Sequence, residues 1–302
     1  MSTMTISGRD IAVSNRQKLF YPDDGVTKGD VVEYYRTVAD TMVPHLRGRP
    51  LTLKRFPDGI AGEGWFQKRA AEHFPAWLRV ADIPQRGDDS GSLEYAIGDD
   101  AATLVYLANQ ASLEFHVWTS TVDNIHCPDR LVLDLDPPAG VAPATLRDVA
   151  RRARELFDDI GLTPYLQATG GSGYHVVAPL VPSEDFDSVR ELAGRAAEHL
   201  VARHPRQLTT AQRKDKRGDR IFLDVNRNGY AQTHIAPYSL RSRAGATTAT
   251  PLDWSELGRF GPAEHTIRTV PKRLAQKSDP WLDMAQHAAT PGRVREHLAT
   301  RS

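Results

Sequence analysis

The stretch Leu131-Val132-Leu133-Asp134-Leu135-Asp136-Pro137-Pro138 decides how the rest of the chain is read. Its apolar residues suit a strand, and Pro137, with no N–H to donate, ends it. Side chains alternate along a strand. Asp134 and Asp136 therefore leave one face while Leu133 and Leu135 leave the other. Two carboxylates held about 7 Å apart on one face repel each other unless a cation sits between them. Oxygen donors of this kind suit hard divalent ions such as Mg²⁺ or Mn²⁺. The plain alternative is a solvated strand end with two ordinary acids. A third acid lies in a second short apolar run, Arg220-Ile221-Phe222-Leu223-Asp224-Val225. If that strand lies beside the first, Asp224 completes a three-carboxylate site of the kind used in two-metal phosphoryl transfer.

Composition narrows the setting. The chain has 302 residues, 40% hydrophobic and 25% charged, as in ordinary globular proteins. It contains no run of roughly 18 apolar residues that would mark a membrane span. Met1 to Asp10 lacks the apolar core of a secretory signal. Cys127 stands alone, cannot form an internal disulfide and fits a reducing cytoplasm. No Cys/His cluster has zinc spacing. Lys plus Arg and Asp plus Glu number 38 each. This balance argues against broad non-specific binding of nucleic acid but leaves room for a local basic groove.

Thr27-Lys28-Gly29-Asp30 reads as a capping box that opens an amphipathic helix to about His45, broken by Gly48 and Pro50. Leu51 to Phe56 alternates as a strand, Gly62 to Lys68 reads as a loop, and Arg86 to Ser92 as a hairpin tip. Ala101 to Asn109 suits a helix and Ser112 to Thr119, which contains His116, a strand. After the carboxylate strand come a helix from Pro143 to Ile160, strands at Tyr165 to Thr169 and Tyr174 to Leu180, and a helix from Ser183 to Arg203. Thr209 to Asp219 is basic and polar. The Asp224 strand, a loop, an extended stretch from Thr233 to Leu240, two helices and a polar tail complete the chain. Strands alternating with helices indicate an α/β fold. With no internal repeat or low-complexity linker, one composite domain over 1–302 is expected, its core at about 11–258.

Three further groups carry chemistry. Thr169-Gly170-Gly171-Ser172-Gly173-Tyr174-His175 joins two strands, and such a glycine-rich turn can hold phosphate oxygens or be a bare turn. Arg241 and Arg243, two apart in an extended segment, can share a face and grip a triphosphate. Trp65 and Phe66, with Lys54, Arg55, Lys68 and Arg69 near them in sequence, suit unstacked bases.

These residues resemble the polymerase domain of bacterial ligase D, a branch of the archaeo-eukaryotic primase superfamily. The resemblance runs from about Ile11 to Gly258. It rests on Asn15-Arg16-Gln17-Lys18-Leu19-Phe20-Tyr21-Pro22, Thr27-Lys28-Gly29-Asp30, Gly48-Arg49-Pro50-Leu51-Thr52, Phe66-Gln67-Lys68, Asp134-Leu135-Asp136-Pro137 and Ala236-Pro237-Tyr238-Ser239-Leu240-Arg241, in that order. It implies a primase-polymerase fold with mixed or antiparallel central sheets flanked by helices. It implies that Asp134, Asp136 and Asp224 bind two metal ions, Mn²⁺ or Mg²⁺, and that His116, Thr169, Ser172, His175, Arg241, Arg243 and Lys54 surround the incoming nucleotide. It places Asn15, Lys18 and Lys28 on the 5′-phosphate of a gap or recessed DNA end, and Trp65 and Phe66 on the template. The implied substrates are such DNA and nucleoside triphosphates, ribonucleotides included. Ku and a separate DNA ligase are the implied protein partners, on the bacterial nucleoid and not at a membrane. With no Lys-x-Asp-Gly ligase signature, the chain is expected to be an excised domain or a stand-alone paralogue, the latter favoured by its termini. The rival readings are a primase-polymerase that starts chains itself, a metal-dependent nuclease, and a non-catalytic DNA-end binder.

The chain departs from the family's Ser-Gly-Ser-Lys-Gly-x-His motif. Thr169 keeps the first hydroxyl, Gly171 replaces the second serine, and Ser172 replaces the lysine. Ser172→Lys should therefore lower the KM for nucleotide in primer extension, because it restores a charge beside the phosphates. An unchanged or higher KM would mean that this turn does not face the triphosphate.

Overall fold

The computed structural model describes residues 2–86 and 91–300. In chain order its strands are β1 (Ser2–Ile6), β2 (Arg9–Val13), β3 (Leu19–Tyr21), β4 (Val26–Thr27), β5 (Leu51–Arg55), β6 (Trp65–Gln67), β7 (Val80–Pro84), β8 (Ser92–Ala96), β9 (Ser112–Val117), β10 (Arg130–Asp136), β11 (Tyr165–Ala168), β12 (Tyr174–Pro179), β13 (Leu208–Thr209), β14 (Ile221–Asp224), β15 (His234–Ile235) and β16 (Thr250–Leu252). The helices are α1 (Lys28–Leu46), α2 (Ala101–Asn109), α3 (Pro143–Asp159), α4 (Phe186–Arg203), α5 (Val270–Leu274) and α6 (Pro291–Ala299). Among the described residues, no helix is long and apolar enough to cross a membrane.

The chain divides into two compact units. One comprises the residues up to Asp123 with Thr233–Thr250 and His265–Asp279. The other comprises Asn124–Gln232, Pro251–Glu264 and the residues from Pro280 onward.

The first unit is built on a four-stranded sheet in the order β15-β9-β5-β6. Leu51 and Leu53 of β5 and Leu113, Phe115 and Val117 of β9 alternate inward, joining Val31, Tyr35, Val38 and Met42 of α1 and Leu104, Val105 and Ala108 of α2 in one core. The start of α1 is set locally. The Thr27 hydroxyl accepts from the Asp30 N–H, and the Asp30 carboxylate accepts from the Thr27 N–H, as the sequence leads one to expect. Gly48, at φ 70°, follows the end of the helix. β7 and β8 form a hairpin; positions 87–90 of the expected tip lie outside the described residues.

The second unit carries a six-stranded sheet in the order β13-β14-β10-β12-β11-β16. It is mixed: β10 pairs antiparallel with β12 and β14, and β13 pairs parallel with β14. Leu131, Leu133, Leu135, Leu166, Val176, Ala178, Ile221 and Leu223 share a core with Leu146, Val149 and Leu156 of α3 and Val189, Leu192 and Ala196 of α4. On the other face, Val132, Tyr165 and Val177 pack with Trp281 and Met284.

Several expectations need correction. α4 starts at Phe186, not Ser183, because the Asp185 carboxylate caps it by accepting from the Ser188 N–H. The expected loop from Gly62 to Lys68 contains strand β6, held by pairing with β5. The extended stretch from Thr233 to Leu240 reduces to His234–Ile235, after which Tyr238, at φ 65°, turns the chain. The N-terminal hairpin of β1 and β2 has no counterpart in the sequence reading.

Candidate active site

In the second unit, antiparallel pairing sets Asp134 directly opposite Asp224 on one side and His175 on the other. The Asp224 strand is thus the neighbour of the Asp134 strand, as the three-carboxylate reading requires. Asp134 and Asp136 project from the face opposite the three core leucines of β10.

The face is acidic at its centre and ringed by cations. Asp134 Oδ1 lies 3.5 Å from His175 Nε2. Arg227 Nε lies 3.4 Å from Asp134 Oδ2 and 3.9 Å from Asp224 Oδ2. Arg217 Nη1 is 3.5 Å from Asp136 Oδ2, and its guanidinium lies 3.6 Å from the centre of the Phe222 ring. Asp224 Oδ1 accepts a hydrogen bond of 2.8 Å from the Asn226 N–H. Burial resists ionisation of Asp134, but His175 and Arg227 outweigh it and hold the carboxyl below its usual range. Asp136 moves the opposite way. Burial, then the negative charge of Asp134, pushes its carboxyl up, with Asp224 adding to the effect against the pull of Arg217 and Lys214.

Among the described residues, no group of three His, Cys, Asp or Glu side chains forms a ready metal site as the side chains stand. Arg217 and Arg227 supply positive charge instead, and His175 lies beside Asp134. The donor set still suits a hard divalent ion, since three carboxylates are gathered at one end of adjacent strands.

The turn after β11 is tightly closed. The Thr169 hydroxyl donates to the Gly173 carbonyl at 2.8 Å and accepts from the Gly171 N–H at 3.2 Å, so this buried side chain holds the turn together. Ser172 is exposed at the tip. A Cβ on Gly173 would lie 2.0 Å from the Leu135 carbonyl oxygen, in the middle of the Asp134-Leu135-Asp136 run.

Asn228 has an unforeseen part. Fully buried, it accepts from the Val132 N–H at 2.7 Å and donates to the Val132 and Val225 carbonyls at 2.7 and 2.9 Å. Its amide completes the hydrogen bonding of β10 just before Asp134, and it anchors the turn that carries Arg227. Nothing in the local sequence signals this.

In the first unit, a cationic cluster forms on the face of the four-stranded sheet that points away from its core. Lys54 is paired across strands with both Glu114 and Phe66. Glu114 is 2% exposed at its side chain and gathers His116 Nε2 at 3.1 Å, Lys54 Nζ at 3.4 Å and Arg241 Nε at 3.5 Å. It also accepts from the Ser242 N–H at 2.9 Å and from the Ser242 hydroxyl. Burial raises the Glu114 carboxyl, but His116, Arg241 and Ser242 together bring it far below its usual range. The segment of Arg241 and Arg243 is not extended as expected. The chain turns here, with the Arg243 N–H donating to the Arg241 carbonyl at 2.9 Å, and Arg243 is exposed in the turn. Trp65 and Phe66 are also separated by strand alternation. Phe66 lies 5.4 Å from the His116 ring and 5.6 Å from Lys54 Nζ, whereas Trp65 lies 5.6 Å from the Arg55 guanidinium.

A second polar site in this unit surrounds the start of α1. Asn15, at φ 51°, turns the chain so that Lys18 N–H donates to its carbonyl and Lys28 N–H to that of Lys18. Lys28 Nζ, 6% exposed as a residue, reaches Ser14 Oγ at 3.1 Å, while Lys18 Nζ pairs with Asp58 at 2.6 Å. Burial, then the neighbouring Lys18 charge, lowers the Lys28 ammonium from its usual range. Asn15, Arg16, Gln17 and Lys18 line a cleft of about 590 Å³ beside this pair.

The family model described as LigD, primase-polymerase domain, matches residues 27–281. The chain belongs to this family. It is 37% identical over 281 residues to the multifunctional non-homologous end joining DNA repair protein LigD of Mycobacterium tuberculosis, covering 90% of this chain and 37% of that protein. A LigD of Pseudomonas aeruginosa is 32% identical over 91% of the chain, and the bifunctional LigD of Bacillus subtilis 32% over 88%. The chain spans 37% of the length of the mycobacterial relative and 33% of the Pseudomonas one. The structure is similar to that of the polymerase domain of Mycobacterium tuberculosis ligase D in complex with DNA. The TM-score is 0.85 at 35% identity, with 92% of this chain and 99% of that chain covered.

Within this LigD primase-polymerase domain, Gly173 is where the glycine turn is most constrained. A backbone oxygen cannot swing aside as a side chain can. Gly173→Ala should therefore displace β10 between Asp134 and Asp136 and destabilise the protein by about 2–3 kcal/mol. Chemical denaturation checks this, and a loss under roughly 0.5 kcal/mol would contradict the tight approach.

Proposed function

We propose that this chain is a DNA-directed nucleotidyltransferase that extends primers at gaps and recessed ends, in end-joining repair. The observation that carries this reading is the placement of Asp134 opposite Asp224, with Asp136 two residues further along the same strand. Asp134, Asp136 and Asp224 would hold two divalent ions, Mn²⁺ or Mg²⁺. Such ions supply Lewis acidity toward the attacking hydroxyl and the phosphoryl oxygens. His175 and Arg227 keep Asp134 ionised and ready to bind a cation. Arg241, Lys54 and His116 bind the triphosphate of the incoming nucleotide, and Arg241 balances charge that develops on the departing phosphates. Phe66 offers its face to a base. Lys18 and Lys28, with Asn15 beside them, receive the 5′-phosphate of the downstream strand. Nucleoside triphosphates and gapped DNA are the substrates on this reading, with Ku and a separate ligase as protein partners.

Primer extension on a gapped, 5′-phosphorylated duplex, run with each metal and with ribo- and deoxyribonucleotides, tests the activity. Asp134→Ala and Asp136→Ala should each abolish nucleotide addition while leaving binding to the duplex within about twofold, since the charge contacts that hold DNA lie elsewhere. Extension near the wild-type rate by either variant in Mn²⁺ would rule out the carboxylate assignment.

End recognition is tested separately, with duplexes that differ only in a 5′-phosphate or 5′-hydroxyl on the downstream strand. The wild-type protein should prefer the phosphate, and the Lys18→Ala, Lys28→Ala double variant should lose that preference. Equal wild-type affinity for both ends would eliminate the phosphate site.

A further inference from the structure

We infer that Glu114 is a positioning residue for nucleotide binding: a buried anion that holds Arg241, Lys54 and His116 in place before the triphosphate arrives. The inference rests on the reading that these three side chains receive the triphosphate.

The layering of charge is the first argument. The Glu114 side chain is 2% exposed, against 27% for Lys54, 13% for His116 and 28% for Arg241. The carboxylate is therefore inside, and the three side chains fan outward from it. A carboxylate offers about four lone-pair positions, and the hydrogen bonds from Lys54, His116 and the N–H and hydroxyl of Ser242 occupy them, while Arg241 lies against it as an ion pair. With Lys54 and Arg241 both charged, the cluster keeps a net positive charge although its centre is an anion. Such an arrangement has room for a second, external anion.

The second argument is direction. Arg241 Nε lies 3.5 Å from Glu114 as an ion pair without a hydrogen bond, so the buried charge holds the guanidinium on this side and its Nη groups are not consumed by that contact. Its backbone is equally restrained, because the Tyr21 hydroxyl donates to the Arg241 carbonyl at 2.9 Å. Ser242 serves two partners. Its hydroxyl bonds Glu114 and accepts from Lys54 Nζ at 2.8 Å, which ties the lysine to the same centre. Long Lys and Arg side chains lose considerable rotamer freedom when they grip a ligand. If Glu114 has already removed that freedom in the folded protein, the ligand need not do so.

The third argument is origin. Glu114 and His116 are two apart on β9, so they share its outward face, and Lys54 is the cross-strand partner of Glu114. The anchor is thus built on paired strands, whereas Arg241 and Ser242 come from a turn. A rigid element fixes a mobile one.

Glu114→Gln keeps the side chain's size and removes its charge. In primer extension on the gapped duplex with ATP as nucleotide, this variant should raise the nucleotide KM about tenfold or more while kcat stays within about threefold. Its affinity for the duplex should not change. A variant that merely lost stability would show a lower melting temperature without this split. Arg241→Ala, assayed alongside, separates the two ideas. If Arg241→Ala leaves the nucleotide KM at the wild-type value, the triphosphate reading itself fails. If Arg241→Ala raises KM and folded Glu114→Gln does not, only the positioning role of Glu114 is overturned. Should Glu114→Gln not fold, Ser242→Ala decides, since it removes the hydroxyl shared by Glu114 and Lys54. A threefold or greater rise in KM, on the order expected for one lost hydrogen bond to a charged group, supports the inference, and a wild-type KM overturns it.

Discussion

Everything at the carboxylate face depends on the register of β10 between its two neighbours. Leu131, Leu133 and Leu135 are buried against α3 and α4, each contributing about 1.5–3 kcal/mol. A slip of one residue would turn these leucines outward and drive Asp134 and Asp136 into the apolar layer. Unpaired carboxylates there would cost several kcal/mol each. The hydrophobic core therefore fixes which way the strand faces, with both acids on the side away from α3 and α4, and the pairing with β14 and β12 then sets Asp134 against Asp224 and His175. Packing on one side of the sheet sets the chemistry on the other.

The four-stranded sheet follows the same logic with the sign of the charge reversed. Leu51, Leu53, Leu113, Phe115 and Val117 are committed to their core, so Lys54, Glu114 and His116 must face away from it. Glu114 is nevertheless nearly inaccessible. It tolerates burial because its partners are already in place and its charge is more than balanced. Removing Glu114 would leave Lys54 and Arg241 facing each other without the anion between them, so the cluster behaves as a unit.

Tyrosine hydroxyls carry the segment that presents Arg241. Tyr34 donates to the Tyr238 carbonyl at 2.7 Å, Tyr35 accepts from the Leu240 N–H at 3.0 Å and donates to the Leu113 carbonyl, and Tyr21 holds the Arg241 carbonyl. These rings are buried, and burial pushes the phenols of Tyr21 and Tyr34 well above their usual range, so they remain neutral donors. They fix a stretch in which Tyr238 occupies left-handed backbone space, a conformation that costs energy for a bulky residue and persists only when its surroundings demand it.

What the sequence determined by itself was local. Strand alternation placed Asp134 with Asp136, Pro137 marked the strand end, Thr27 and Asp30 announced the start of α1, and ordered motifs pointed to the family. Each of these is written in a few consecutive residues, because alternation, proline chemistry and capping act over one or two turns of chain. The tertiary structure decided who meets whom. It set Asp224 beside Asp134, put Asn228 in the hydrogen-bonding place next to Val132, sent Trp65 and Phe66 to opposite faces of β6, folded the segment of Arg241 and Arg243 into a turn, and gathered Lys54, His116 and Arg241 on Glu114. None of these follows from spacing, since each depends on register between segments far apart in the chain. That register is chosen by the total apolar surface the sheets must bury, a quantity that no single stretch of sequence contains.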